Sequence, residues 1–163
     1  MYDSILLTQN TDRLLRLGRK AEVERLADEP QLLAEGFPRV FFVDSGSARA
    51  ASTNTGLEPL NPFATLAQAV GAALASRGDV IILAAGHAET LSAALDINKA
   101  GITIQGLGRG RNRPAFTGSG TVDVLSVSAA NVKIDNLYFP GPTAAATAFI
   151  NIAGADCEVS NCE

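Results

Sequence analysis

The sequence predicts a mainly β chain wound as a parallel β-helix, and three observations carry that prediction. Three thirteen-residue stretches align without a gap: LDINKAGITIQGL from Leu95, LSVSAANVKIDNL from Leu125 and INIAGADCEVSNC from Ile150, so the unit returns after 30 and then 25 residues. Inside each, two alternating apolar pairs flank a corner residue. The first pairs are Leu95/Ile97, Leu125/Val127 and Ile150/Ile152. The corners are Gly101, Asn131 and Asp156, and the second pairs are Ile102/Ile104, Val132/Ile134 and Cys157/Val159. Alternation marks a strand with one buried face, and Gly, Asn and Asp are the residues that most readily take left-handed backbone angles at a bend. A unit of two short strands cannot bury its own apolar face, so the copies must stack as coils. The third observation is a column formed by Gly106, Asn136 and Asn161 just after the second strand, where stacked amides can hydrogen-bond along the axis.

Residues 1–38 have a different character and are read as an N-terminal helical arm. Thr11 is an N-cap candidate for a helix over residues 12–27, with Leu14, Leu15, Leu17, Val23 and Leu26 as a partial apolar stripe. Arg13, Arg16, Arg19, Lys20 and Arg25 supply its polar side, five of the thirteen basic residues of the chain. The candidate partner-docking residues are Leu14, Arg16, Leu17, Arg19, Lys20 and Arg25. Two roles suit such a helix and are compatible: docking on a partner protein, or covering the open end of the solenoid. Glu22, Glu24, Asp28 and Glu29 dilute the basic side, which argues against nucleic acid.

Residues 39–78 are read as an opening strand, a loop and a capping helix, and residues 79–163 as the coils. RVFFV, residues 39–43, is the first strand, and residues 44–61 form a polar loop. A helix is predicted over residues 63–75, because Phe63, Leu66, Val70 and Leu74 fall on one face at spacings of three and four. Gly78 ends it. Residues 80–83 form a buried strand, a turn follows, and the repeats begin.

Composition narrows the classes. The chain has 163 residues, is 47% hydrophobic and 18% charged, and carries a net charge of −4 with a pI near 5.0. That balance gives no general attraction to nucleic acid or anionic membrane. No apolar run reaches the ~18 residues needed to span a bilayer. Residues 1–20 hold Asp3, Asp12 and several arginines where a signal peptide needs an apolar core, so synthesis in a cytoplasm is expected.

Chemistry on this scaffold has to come from outward side chains. The outward columns are Asp96/Ser126/Asn151, Thr103/Lys133/Glu158 and Gln105/Asp135/Ser160, and none places two carboxylates on adjacent coils, as a glycoside hydrolase requires. Lys133 and Glu158 should form a surface ion pair. His87, the single histidine, lies in GHAET with Glu89 as its one near partner, and is expected to be an exposed turn residue. Cys157 and Cys162 align with apolar core positions and are read as small buried hydrophobes rather than as a zinc site. Arg109, Arg111 and Arg113 concentrate charge in one loop and are candidates for a subunit or anion contact. No catalytic, cofactor-binding or metal-binding residue is assigned.

The run VDSGS…TNTGLEPLNPFATLAQAVGAALASRGDVIILAAGHAETL resembles the opening segment of right-handed β-helix proteins of the pectate-lyase-like superfamily. The matching elements are Val43-Asp44, residues 61–65 (NPFAT) and residues 78–86 (GDVIILAAG). GITIQGLGRGRNRP, residues 101–114, is similar to the first full coil of such proteins, especially those of bacteriophage virions and prophages. The resemblance covers about residues 40–163 and implies a right-handed coil. It further implies a virion structural component of tailspike, fibre or head-decoration type, with location in the virion. The partners implied are a homotrimer and tail, baseplate or capsid proteins. The superfamily also holds enzymes, so the alternatives are a polysaccharide depolymerase whose catalytic residues lie beyond Glu163, binding glycan there, and a non-viral carbohydrate-binding or surface module. Nothing after the third repeat reads as a cap, so further coils or a covering subunit are expected there.

Overall fold

The structure, a computed structural model, describes residues 37–119, 123–141 and 148–163. The helix expected over residues 12–27, with the docking candidates Leu14, Arg16, Leu17, Arg19, Lys20 and Arg25, lies outside the described residues.

The architecture is mainly β with parallel sheets. In chain order the elements are β1 (Val40–Val43), α1 (Leu66–Ala72), β2 (Val80–Leu83), β3 (Ala88–Leu91), β4 (Leu95–Ile97) and β5 (Thr103–Gly106). A 3-10 turn at Gly110–Asn112 is followed by β6 (Ala115–Gly118), β7 (Leu125–Val127), β8 (Lys133–Asp135), β9 (Ile150–Ile152) and β10 (Glu158–Ser160). They form three sheets with orders β1-β2-β5-β8-β10, β4-β7-β9 and β3-β6. Each pairing among these strands is parallel.

The register reproduces the columns read from the repeats. Leu95 lies opposite Leu125 and Leu125 opposite Ile150, while Thr103, Lys133 and Glu158 form one row. Inward positions are sealed: Ile97, Ile104, Leu125 and Val127 are fully buried. The corners adopt the geometry their residue types permit, with φ of 72° at Gly101, 57° at Asn131 and 55° at Asp156. Asn136 and Asn161, in the second column, are left-handed too, at 61° and 53°. Their amides do not stack on one another. Asn136 Nδ2 donates to the carbonyls of Gly106 and Gly108 at 2.9 and 3.1 Å, and Asn161 Nδ2 donates to Asp135 Oδ1. Gly106 heads this column because a Cβ there would collide with the Asn136 carbonyl.

Three details differ from the sequence reading. The helix runs Leu66–Ala72 rather than over residues 63–75, since Thr65 and Gln68 form a reciprocal capping box and Ala73 is already extended. Phe63 therefore lies before the helix, in a parallel bridge with Val43. Leu74, expected on the buried face, is 45% exposed, because its N–H leaves the helical ladder to bond Asp79 Oδ2. The third difference is the β3-β6 sheet, read from the sequence as turn and loop. An aromatic row runs behind it: Phe116 lies 6.4 Å from Phe139, and Phe139 5.5 Å from Phe149, measured between ring centroids.

Candidate functional site

The buried polar residues of the described chain are Asp79, His87 and Arg113. Each is a place where the fold keeps a charge or a titratable ring out of water, and each needs partners to do so.

His87 corrects the expectation of an exposed turn residue: it is fully buried. In HAETL, alternation places His87, Glu89 and Leu91 on one face, and that face turns inward against Phe116, whose ring is 5.7 Å away. The Ser45 N–H donates to His87 Nδ1 at 2.9 Å, so the ring proton resides on Nε2 and is donated to Glu89 Oε1 at 2.8 Å. The same Glu89 oxygen accepts the Leu66 N–H at 2.6 Å, one of the free donors at the start of α1. The imidazole thus connects the loop after β1, strand β3 and the helix cap. With Nδ1 occupied by a backbone donor and Nε2 by a carboxylate, neither nitrogen is open to a substrate. The signal missed in the sequence was the alternation itself, which continues one residue upstream of β3.

Asp79 is also fully buried and takes four donors: the N–H groups of Arg39 and Leu74, each at 2.9 Å, and the Arg77 Nε and Nη2, each at 2.6 Å. Burial pushes its pKa up. The Arg77 hydrogen bond, the two backbone donors and the Arg77 charge together outweigh burial, so the carboxyl is held below the usual aspartate range. Asp79 ties the start of β1 to the exit of α1 and is structural.

The arginine loop divides. Arg109 and Arg111 are exposed, whereas Arg113 turns back onto its own chain. Its Nε donates to the Gly110 carbonyl at 3.0 Å and its Nη1 to the Asn161 carbonyl at 2.8 Å. Its Nη2 pairs with Glu163, and its guanidinium carbon lies 5.8 Å from the Tyr138 ring centroid. Arg109, Gly110, Arg113, Asn136, Asn161, Cys162 and Glu163 line an open depression of about 460 Å³. Burial pushes the Cys162 thiol up, opposite to what an activated nucleophile needs. Cys157 and Cys162 are both free and partly buried, packed against the core rather than within it.

The outer face of the five-stranded sheet changes along its length. At β1 and β2 it offers Phe42 and Ile82, which with Pro59, Pro62, Ala84 and Leu107 line an apolar groove of about 170 Å³. At β5, β8 and β10 it becomes a polar ladder in which Asp135 accepts from Gln105, Ser160 and Asn161 at 2.5–2.7 Å. Those three donors, with Ser160 the strongest, hold the Asp135 pKa down. Lys133 and Glu158 form the expected ion pair at 3.2 Å. Among the described residues no group of three metal-ligating side chains converges, and no helix is long and apolar enough to cross a membrane.

Comparison with protein families, with curated proteins and with solved structures gives no match.

Proposed function

We propose that this chain is a structural component of a bacteriophage virion, of tailspike, fibre or head-decoration type, built on a right-handed parallel β-helix and assembled as a trimer. One observation carries the reading. The buried titratable groups and the Asp135 carboxylate are engaged in hydrogen bonds within the chain, so the scaffold uses its polar chemistry to fix coils rather than to turn over a substrate. Handedness, trimer and virion location come from the resemblance of about residues 40–163 to phage β-helix proteins. The capping box at Thr65 and the buried Asp79 give structural roles to two residues within the stretches that carry it. Arg109 and Arg111, the exposed cations of the arginine loop, are offered to a neighbouring subunit or an acidic group, and residues 1–38 supply the docking arm.

Two measurements test this. Mass spectrometry of purified particles from cells carrying the chain should find it at stoichiometric copy number, and light scattering of the full chain should give three times the monomer mass. Absence from the particles refutes the virion role. Release of reducing ends or unsaturated sugars from bacterial polysaccharides by the pure chain refutes the non-enzymatic one.

A further inference from the structure

Of the three buried polar residues, His87 carries the side-chain type that takes up a proton on mild acidification, and it is the single histidine of the chain. Its two nitrogens are not equivalent toward a second proton. Nε2 already donates to Glu89 Oε1 at 2.8 Å, so the proton that makes an imidazolium has to enter at Nδ1. That lone pair accepts the Ser45 N–H at 2.9 Å. Protonation would set two donors against each other there, and one of them must give way. The ring is fully buried and lies 5.7 Å from Phe116 between ring centroids, whereas Ser45 is exposed and its N–H can turn to water. The loop therefore yields, not the ring. Ser45 is also held to β3 by its hydroxyl, which donates to the Ala88 carbonyl at 3.1 Å and accepts the Ala88 N–H at 3.0 Å, so a shift of its backbone pulls on a second attachment.

We propose that His87 is a proton-operated latch: neutral, it fastens the loop after β1 to strand β3; charged, it releases that loop and keeps Glu89 as its counterion. Glu89 makes the charged state attainable inside the fold. Its side chain is 8% exposed and already within 2.8 Å, so the imidazolium forms as one half of a pair rather than as a lone buried charge. The other elements packed here present neutral groups to the ring. The loop presents the Ser45 N–H; its own charged residues are Asp44, whose carboxylate accepts the Gly46 N–H at 2.9 Å, and the exposed Arg49. Helix α1 presents the Leu66 N–H, which shares the Glu89 oxygen at 2.6 Å, and has no acidic residue in its first turn and no basic residue in its last. β6 presents the Phe116 ring, and the turn before β3 brings the Ala84 carbonyl to the His87 N–H at 3.1 Å. The sign follows from these contacts: the Ser45 bond exists while the ring is neutral and is lost as falling pH charges it, whereas the Leu66–Glu89 bond persists in both states. Mild acid thus frees the cover of β1 at its β3 attachment and leaves the parallel ladders, held by backbone groups, in place. The inference rests on the surroundings of His87 alone and stands whether or not the virion reading holds.

Because the chain has one imidazole, nitrogen NMR of the isotope-labelled full chain reads both ends of the contact without ambiguity. While the ring is neutral, a scalar coupling across the hydrogen bond should join the Ser45 amide nitrogen to Nδ1. On acidification that coupling should vanish with the same midpoint at which the ring nitrogens reach the imidazolium shift. Protection of the Ser45 amide from hydrogen exchange should fall about tenfold or more over the same range, while that of Ile104 in β5 holds. His87→Gln offers an acceptor oxygen and a donor N–H but takes up no proton, so its Ser45 protection should not respond to pH. Glu89→Gln keeps an acceptor for the Leu66 N–H and removes the counterion, so it should move both probes together to lower pH. Circular dichroism checks that the variants remain folded. Three results overturn the proposal: a ring that charges with the Ser45 coupling intact, a Ser45 amide that loosens over the same pH range in His87→Gln, or a ring that stays neutral until the β signal of the stack is lost.

Discussion

At the β1 end of the five-stranded sheet, Phe41 and Val43 are 2% and 1% exposed; at the β10 end, Val159 keeps 39%. The side chains are of one kind and the strands of similar length, so the difference lies in what covers them. Over β1 the chain returns twice, through Gly56 and Phe63, to satisfy the edge, and α1 covers the first turn with Leu66, Ala69 and Val70. Asp79 and the His87–Glu89 pair then fasten the pieces of that cover. Over β10 the described residues supply no such layer. The β1 end of the stack is thus stabilised by elements that break the repeat, and the polar cost of that cover is met by buried hydrogen bonds within it.

Substitutions at the two ends give the largest predicted contrast. Phe63→Ala removes a ring that is 5% exposed and should cost about 3–5 kcal/mol in urea unfolding. Val159→Ala should stay near the ~0.5 kcal/mol of a surface change. Equal costs would mean that the β10 end is covered as well as the β1 end. Close behind is Asp79→Ala, predicted to cost about 3–5 kcal/mol because it strips a buried charge pair of one partner. Its titration provides a second check. The folded pKa lies below the unfolded one, so the contribution of Asp79 is complete above the usual aspartate value and is lost as pH falls through the folded value. Asp79→Asn should accordingly flatten the acid limb of the stability profile.

His87→Leu sharpens the comparison at an intermediate level. It leaves the Ser45 N–H without its acceptor and Glu89 without its imidazole donor, a loss of about 1–3 kcal/mol. Hydrogen exchange at Ser45 and Leu66 should rise together if the imidazole connects them. The smallest effect is expected from Lys133→Ala. Its ion pair with Glu158 is about 60% exposed on both sides, and such pairs contribute within ~0.5 kcal/mol.

The period of the apolar pairs and the corner residues determined the stack by themselves. Alternation and left-handed tolerance are properties of single residues and near neighbours, so Leu95, Leu125 and Ile150 fell into register, and Gly101, Asn131 and Asp156 into corners, before any contact was known. The apolar spacing located α1 but overran it at both ends, because Thr65 and the Leu74 N–H answer to partners that the helical period does not encode. The β3-β6 sheet escaped notice because HAETL and AFTG do not repeat one another; only their pairing across a turn makes them strands. Alternation groups His87 with Glu89 and Leu91, but which face of β3 turned to the core was decided by tertiary structure. The imidazole's partner Ser45 lies 42 residues away, and its partner Glu89 is held in turn by the Leu66 N–H, 23 residues from that carboxylate, so the burial of the imidazole depends on donors and acceptors that long-range folding brings to it. The fate of Arg113 was decided in the same way, by a Glu163 carboxylate 50 residues along the chain.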